Sequence, residues 1–158
     1  MNRRLYFLIA FFIVGLDRLI KFWVEENLVL HESRPLLGRI FRLTRVHNPG
    51  GAFGIFPEAG EVFIVVAFVA IAVIVFLLLT ARSHSRMVNT GLALILGGAA
   101  GNLIDRILFG HVLDYFEVHG LFVNNLADFA ISIGAGLLVF HMFFGGEADR
   151  TSQPLDRL

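Results

Sequence analysis

The chain has 158 residues, of which 56% are hydrophobic and 16% are charged, and its mean hydropathy is +0.74. These values are too apolar for a typical soluble domain and indicate a protein of the lipid bilayer. Thirteen basic and thirteen acidic residues cancel, so there is no basic surface for nucleic acid, and the absence of cysteine excludes disulfides and thiol nucleophiles.

Four apolar segments have about the 20 residues that a membrane-spanning helix needs. They predict helices at about 5–24, 62–81, 88–108 and 123–144 in a single integral membrane domain, 1–158. Outer loops are predicted at about 25–61 and 109–122, and a cytoplasmic tail at about 145–158. Basic residues precede the first segment as in a secretory signal peptide, but no small-residue cleavage site follows, which favours an uncleaved helix.

The distribution of arginine favours placing both termini in the cytoplasm. Six arginines then lie inside, namely Arg3, Arg4, Arg82, Arg86, Arg150 and Arg157. Four lie outside, in the first outer loop: Arg34, Arg39, Arg42 and Arg45. The predicted fold class is an all-α membrane protein with four transmembrane helices and a small extracytoplasmic β-hairpin.

The hairpin is predicted within the first outer loop. Residues 39–46 mix β-branched and aromatic side chains with charges, a turn follows at 47–51, and residues 52–56 form the second strand. We expect this hairpin to lie on the membrane surface with its arginines at lipid headgroups.

Polar residues within the apolar segments are predicted to meet in one leaflet. Odd-numbered helices end on the outer side and even-numbered helices begin there, so the residues that converge are Asp17, Lys21, Asn102, Asp105, Arg106 and Asp128. Polar residues at one depth of a bilayer indicate a wet pocket that opens to one face.

Spacing within two helices refines this picture. Asp17 and Lys21 are four positions apart and predict an ion pair on one helical face. Asp105 is predicted to cap its helix or to pair with Arg106. The G-x-x-x-G spacing of Gly97 and Gly101 predicts close approach of a neighbouring helix.

Asp114 lies in the second outer loop between apolar neighbours, which we expect to hold it at the membrane surface near Asp128. Two adjacent carboxylates cannot both ionise readily, so they share one proton. The ionised member takes a proton from water while the protonated member donates to an amide carbonyl. This pair therefore predicts peptide hydrolysis without a metal, a cofactor or a covalent intermediate.

Three alternatives remain open at this point. A proton-coupled transporter also uses membrane carboxylates, but alternating access needs a pathway from both sides and often repeated halves. A metallohydrolase would combine the two aspartates with His111 or His119, yet no H-E-x-x-H motif is present. A non-enzymatic scaffold would tolerate isosteric loss of either Asp114 or Asp128.

The motifs resemble those of bacterial lipoprotein signal peptidase, also called signal peptidase II. The resemblance runs over nearly the whole chain and is carried by Asn48-Pro49-Gly50-Gly51-Ala52-Phe53-Gly54, Gly97-Gly98-Ala99-Ala100-Gly101-Asn102-Leu103-Ile104-Asp105-Arg106, Val112-Leu113-Asp114-Tyr115 and Asn125-Leu126-Ala127-Asp128. The chain departs from the family pattern at Asn124 and Phe129, which stand where Phe and Ser are common.

The resemblance implies an aspartyl endopeptidase of the bacterial inner membrane, acting at the extracytoplasmic leaflet. Such enzymes cut the signal peptide from diacylglyceryl-modified prolipoproteins just before the lipidated cysteine. Asp114 and Asp128 correspond to the catalytic dyad. The resemblance assigns substrate contacts to Asn48, Gly51, Asn102, Arg106, Asn125 and Asp17, and leaves open whether Asn124 takes the role of Asn125. The expected partners are the lipid-modified prolipoprotein, membrane lipids and the inhibitor globomycin, bound by a monomer.

Overall fold

The computed structural model describes residues 3–50, 60–80 and 85–150, with side chains as far as residue 145. The helices are α1 (Arg3–Asn27), α2 (Gly60–Thr80), α3 (Arg86–Phe109) and α4 (Leu126–Arg150). The strands are β1 (Ser33–Leu37), β2 (Phe41–Asn48), β3 (Val112–Val118) and β4 (Phe122–Asn124). The helices occupy the four apolar segments of the sequence, and α4 continues beyond residue 145, where the polar tail was predicted.

Three of the described helices are long and apolar enough to cross a membrane: Gly60–Thr80, Arg86–Phe109 and Leu126–Gly145. The helix α1 has 25 residues but carries charged side chains in its second half. Large apolar side chains point outward from the bundle, among them Phe11, which is 76% exposed, and Phe143, which is 70% exposed. An apolar exterior of this kind is typical of a surface that contacts lipid.

The helix α3 packs on α1 and α4 through positions without a side chain. A Cβ atom on Gly97 would lie 2.8 Å from the Ala10 carbonyl oxygen, and one on Gly101 would lie 3.0 Å from Asp17 Oδ2. The backbones of α1 and α3 therefore approach as closely as the G-x-x-x-G spacing predicted. This approach brings the polar second halves of both helices together.

The sheet is antiparallel, with the strand order β1-β2-β3-β4. The strand β2 pairs with β1 before it and with β3 from the second outer segment, and neither of these partners was predicted. Gly38, with φ of +61°, makes the tight turn between β1 and β2 possible. The predicted strand at 52–56 lies outside the described residues.

The second outer segment was predicted as a loop at 109–122, but it is mostly β-structure. Its strand β3 is bonded to β2 on one edge and to β4 on the other. Gly110 ends α3 in the left-handed conformation, with φ of +75°. The segment therefore forms a supported platform beside the helix ends, and the register places Val46 opposite Asp114.

Candidate active site

Asp114 lies on β3 and is held there by buried apolar neighbours. Val112, Leu113 and Tyr115 are all buried, and the Asp114 side chain is buried with them. Its Oδ2 accepts a hydrogen bond from Asn48 Nδ2 at 2.9 Å, and its Oδ1 accepts one from Asn125 Nδ2 at 2.7 Å. Both oxygens of the predicted catalytic residue are therefore fixed by amide donors.

The surroundings of Asp114 favour its protonated form. Burial is the main cause, and the negative charge of Asp128 is the second, and together they raise the pKa of Asp114 to about 6. The hydrogen bonds from Asn48 and Asn125 act in the opposite direction. A carboxyl group with this pKa holds or releases a proton close to neutral pH, as a general acid must.

Asp128 lies in the first turn of α4 as part of a reciprocal capping box. Asn125 Oδ1 accepts from the Asp128 backbone N–H at 2.9 Å, and Asp128 Oδ2 accepts from the Asn125 backbone N–H at 3.3 Å. The other oxygen, Oδ1, accepts from Asn102 Nδ2 at 2.7 Å. Both oxygens of the Asp128 side chain are therefore held by N–H donors at the N-terminus of α4.

The two aspartates share Asn125, which donates to one and caps the helix of the other, and they line one cavity of about 490 Å³. Its polar lining consists of Asn48, Asn102, Arg106, Asp114, Asn124, Asp128 and Ser132. Its apolar lining consists of Phe63, Val66, Ala67, Ala70, Ile95, Ala99, Val112 and Ile131. The sites predicted at Asn48, Asn102, Arg106, Asp114 and Asp128 therefore come together around one space.

A second cavity, of about 240 Å³, reaches the same aspartate along the sheet. It is lined by Val46, His47, Asn48, Pro49, Asp114, Leu121, Phe122 and Val123. Asp114 and Asn48 are thus accessible from the bundle side and from the β3–β4 turn.

Arg106, on α3, contacts α2 and the segment that follows β2. Its Nη2 donates to the Gly50 carbonyl at 3.0 Å, and its guanidinium lies 5.3 Å from the centre of the Phe63 ring. Gly51, the adjacent predicted contact, lies outside the described residues. Arg106 therefore braces the wall of the cavity while presenting a positive charge to it.

Asp17 is wholly buried and does not line either cavity described above. The predicted ion pair is confirmed, since Lys21 Nζ lies 2.7 Å from Asp17 Oδ2. Asp17 Oδ1 also accepts from the Ala127 backbone N–H at 3.2 Å, which ties α1 to the start of α4. This geometry places Asp17 behind the cavity, as a support for the helix that carries Asp128.

Asp105 was predicted to cap its helix or to pair with Arg106, but its ion-pair partners are Arg18 and Lys21 from α1. Its Oδ2 also accepts from the Leu113 backbone N–H at 3.3 Å. The reason is the close approach of α1 and α3, which brings two cations within reach of one buried carboxylate. Asp105 thereby connects both helices to β3.

The two adjacent asparagines occupy different positions, and Asn125, a predicted substrate contact, does not line the larger cavity. Asn125 is fully buried and holds both aspartates, whereas Asn124 ends β4 and lines the cavity.

Sequence reasoning missed Tyr115, whose hydroxyl accepts from the Leu126 N–H at 3.0 Å. Its position beside Asp114 in the motif was the available signal. Phe129 packs edge-on against Phe116, at 5.4 Å between ring centres.

The histidines considered as metal ligands have other contacts. The His111 ring stacks on His47 at 3.8 Å between ring centres. His119 Nδ1 lies 3.1 Å from Glu117 Oε1 on the sheet. Neither contact directs an imidazole toward Asp114 together with Asp128.

This fold and site define a membrane protein in which two buried aspartates line one cavity, and aspartic peptidases use two carboxyl groups to hydrolyse peptide bonds. Residues 9–144 match the profile of the family described as signal peptidase (SPase) II. The chain belongs to the signal peptidase II family and is a peptidase of the aspartic type.

Several relatives named lipoprotein signal peptidase match most of the chain. The protein of Halothermothrix orenii is 40% identical over 87% of this chain and 94% of its own length. That of Desulforapulum autotrophicum is 41% identical, covering 90% and 93%, and that of Clostridioides difficile is 39% identical, covering 89% and 95%.

Two solved structures, each described as a bacterial membrane enzyme, share the fold. One has a TM-score of 0.83 at 23% identity and covers 97% of this chain and 93% of its own. The other has a TM-score of 0.80 at 24% identity, covering 88% and 92%.

Proposed function

We propose that this protein removes signal peptides from diacylglyceryl-modified prolipoproteins, cutting immediately before the lipidated cysteine, and that Asp114 and Asp128 activate the attacking water. The observation that carries the proposal is the shared cavity, in which both carboxylates are held by amide donors and linked through Asn125. The relatives named lipoprotein signal peptidase support the choice of substrate.

The hydrogen bonds support different roles for the two aspartates. Asp128, which accepts two N–H groups at a helix N-terminus, is the ionised base that removes a proton from water. Asp114, whose pKa is raised to about 6, is the acid that protonates the carbonyl oxygen of the scissile amide.

The reaction then proceeds through a neutral gem-diol. The water oxygen bonds to the carbonyl carbon as Asp128 takes one proton and Asp114 gives one. Asp128 next donates its proton to the amide nitrogen, the C–N bond breaks, and Asp114 recovers a proton from the diol. Both side chains return to their starting states, and the products are a carboxylic acid and an amine.

The lining of the larger cavity supports entry from the bilayer. Its apolar wall comes from α2 and from the parts of α3 and α4 that lie deeper than the dyad, such as Ile95 and Ile131. A signal helix lies against this wall while the diacylglyceryl chains remain in hydrocarbon. Arg106 and Asn48 are positioned to hold the extended backbone at the cut.

We infer that all four helices span the bacterial cytoplasmic membrane, with both termini inside and the dyad at the extracytoplasmic leaflet. The helix α1, at about 1.5 Å per residue, is long enough to cross the hydrocarbon core. We also propose that the enzyme acts as a monomer and that globomycin competes for the larger cavity.

A proton-coupled transporter is less well supported. Residues 5–16, 62–80, 87–104 and 129–146 contain no Asp, Glu, Lys or Arg. Carboxylates that mark one boundary of the bilayer offer no proton path to the other side.

The test is cleavage of a purified lipid-modified prolipoprotein in detergent, followed by mass spectrometry of the products. We expect one cut before the lipidated cysteine, unaffected by excess chelator, and no cut in the same precursor without lipid. Glu26→Gln, which removes an exposed carboxylate from the end of α1, serves as the control variant and is expected to cleave normally. Equal cleavage of the unlipidated precursor, or no cleavage at all, would contradict the proposal.

A further inference from the structure

Asn102 stands between the catalytic carboxylate and a buried lysine. Its Nδ2 donates to Asp128 Oδ1 at 2.7 Å, and its Oδ1 accepts from Lys21 Nζ at 3.2 Å. Both Lys21 and Asn102 are buried. The lysine therefore reaches the dyad through one amide group.

An asparagine side chain has an oxygen acceptor and an NH₂ donor of nearly the same shape, so its neighbours decide which way it points. An ammonium group can only donate. Three oxygens surround Lys21 Nζ: Asp17 Oδ2 and Asp105 Oδ2, each at 2.7 Å, and Asn102 Oδ1. Because the lysine requires the oxygen of Asn102, the NH₂ group must face Asp128.

The opposite orientation would damage the proposed base. The amide oxygen would then face the Asp128 carboxylate, so that two acceptors would meet without a proton between them. Asn125 Nδ2 also donates to Asn102 Oδ1, at 3.2 Å, and donates to Asp114 Oδ1 at 2.7 Å. Lys21 is the charged donor of the two, and a charge-assisted hydrogen bond is the stronger one.

We propose that Lys21 is a positioning residue for catalysis, which orients the Asn102 amide so that Asp128 is held as an ionised base. This inference rests on the function proposed above and adds a role beyond the ion pair predicted for Lys21. It also accounts for a buried cation, because an apolar side chain of similar volume would fill the same space without the desolvation cost.

Charged side chains from the packed elements surround the hydrogen-bonded series Lys21–Asn102–Asp128. Asp17 and Arg18 face it from α1, Asp105 and Arg106 from α3, and Asp114 from β3. Arg18 pairs with Asp105 but has no hydrogen bond to Asn102 among the described contacts. It therefore provides a matched control, being a cation on the same helix with the same acidic partner.

The experiment compares Lys21→Met/Asp17→Asn with Arg18→Gln and wild type. The double variant is preferred because Lys21→Met alone would leave Asp17 buried without a cation, whereas an asparagine in place of Asp17 keeps an oxygen for the Ala127 N–H. It also removes one positive and one negative charge together, so long-range charge effects on Asp128 largely cancel. The readouts are melting temperature, kcat, KM and the pH profile of kcat/KM on the lipid-modified precursor.

We expect the double variant to fold and to lose about 10- to 100-fold in kcat with little change in KM. The range is the one seen when a group that orients a metal ligand is removed, since Lys21 would likewise orient a group that contacts the reacting centre. We expect the acid limb of its pH profile to move up by about one pH unit, because the ionised dyad loses an oriented donor. Arg18→Gln should lower the melting temperature while keeping the wild-type pH profile.

The proposal is overturned if the double variant keeps wild-type kcat and pH profile, if it does not fold, or if Arg18→Gln shifts the acid limb equally. The first two results assign Lys21 a structural role, and the third assigns the effect to charge alone. Failure of wild type to cleave the precursor would instead contradict the proposed function.

Discussion

The two halves of α3 make different kinds of contact with their neighbours. The first half packs through bare backbone, as at Gly97 against Ala10, and contains no charged residue between Arg86 and Asp105. The second half carries Asn102 and Asp105, whose polar atoms meet side chains from α1 and α4 and the backbone of β3. Close backbone packing therefore positions the first half of α3. Hydrogen bonds and ion pairs position the second half, which lies at the proposed active site.

The comparison teaches that the site depends on both halves. Close helix contact is needed before short side chains can meet, because Asp17 reaches the Ala127 N–H only where Gly101 leaves room. Disturbing the packing should therefore impair activity as well as stability, whereas disturbing the polar groups should impair activity more selectively.

Among the variants that keep both Asp114 and Asp128, the largest effect is expected from Gly98→Ala. A Cβ atom there would lie 2.3 Å from the Ala127 carbonyl oxygen, so α3 and α4 must separate. Overpacking of this kind costs about 1–3 kcal/mol or more, and displacement of Asp128 next to Ala127 should lower kcat/KM by about 100-fold. Thermal melting and the cleavage assay measure the two losses.

Gly15→Ala is the matched control, because its Cβ would meet nothing within 4 Å. It should keep both stability and activity near the wild-type values. If Gly98→Ala behaved like this control, close packing would not be what positions the dyad.

A smaller effect is expected from Asn48→Ala, which removes a donor to Asp114 and the acceptor of the Gly50 N–H. Loss of a hydrogen bond to a neutral carboxyl group costs about 0.5–1.5 kcal/mol, or about 2- to 10-fold in kcat/KM. Because the bond from Asn48 lowers the pKa of Asp114, its loss should move the basic limb of the pH profile to higher pH. A basic limb that moved to lower pH would contradict the role of Asp114 as the acid.

Asn27→Ala is a suitable control for that experiment. Its side chain donates to the Trp23 carbonyl at an exposed position on α1, away from both aspartates. Its pH profile should match that of the wild type.

The smallest effect is expected in the pH dependence of stability. The pKa of Asp114 is raised to about 6 from its ordinary value of 3.8, so between these values the folded protein binds more protons than the unfolded chain. Stability should therefore fall as the pH rises from about 4 to about 6. Melting in detergent across this range should show the slope in wild type and a weaker slope in Asp114→Asn, and equal slopes would contradict the assigned pKa.

The sequence predicted the convergence of the polar residues because odd-numbered helices end on the outer side and even-numbered helices begin there. The position of a residue within its helix therefore sets its depth in the membrane. It predicted the Asp17–Lys21 pair because four positions in a helix bring two side chains together. It did not predict the partners of Asp105, since these depend on how closely α1 approaches α3.

The sheet was predicted less well. The strand β1 contains Pro35 and two polar residues, so nothing in its pattern separates it from a loop. The strand β3 pairs with β2 across a large distance in sequence, and residue patterns do not specify such partners. The motif residues Asp114 and Asn48 were found, but the register that brings them together required the structure.

The central claim is that Asp114 and Asp128 act as one unit, and a double-mutant cycle of cleavage rates tests it most directly. Asp114→Asn and Asp128→Asn should each lower kcat by at least about 1,000-fold, and the double variant should be no slower than either single variant, because neither carboxylate works without the other. All three variants should insert in the membrane and melt as folded proteins. Losses of only several-fold, or losses that multiply in the double variant, would contradict the account.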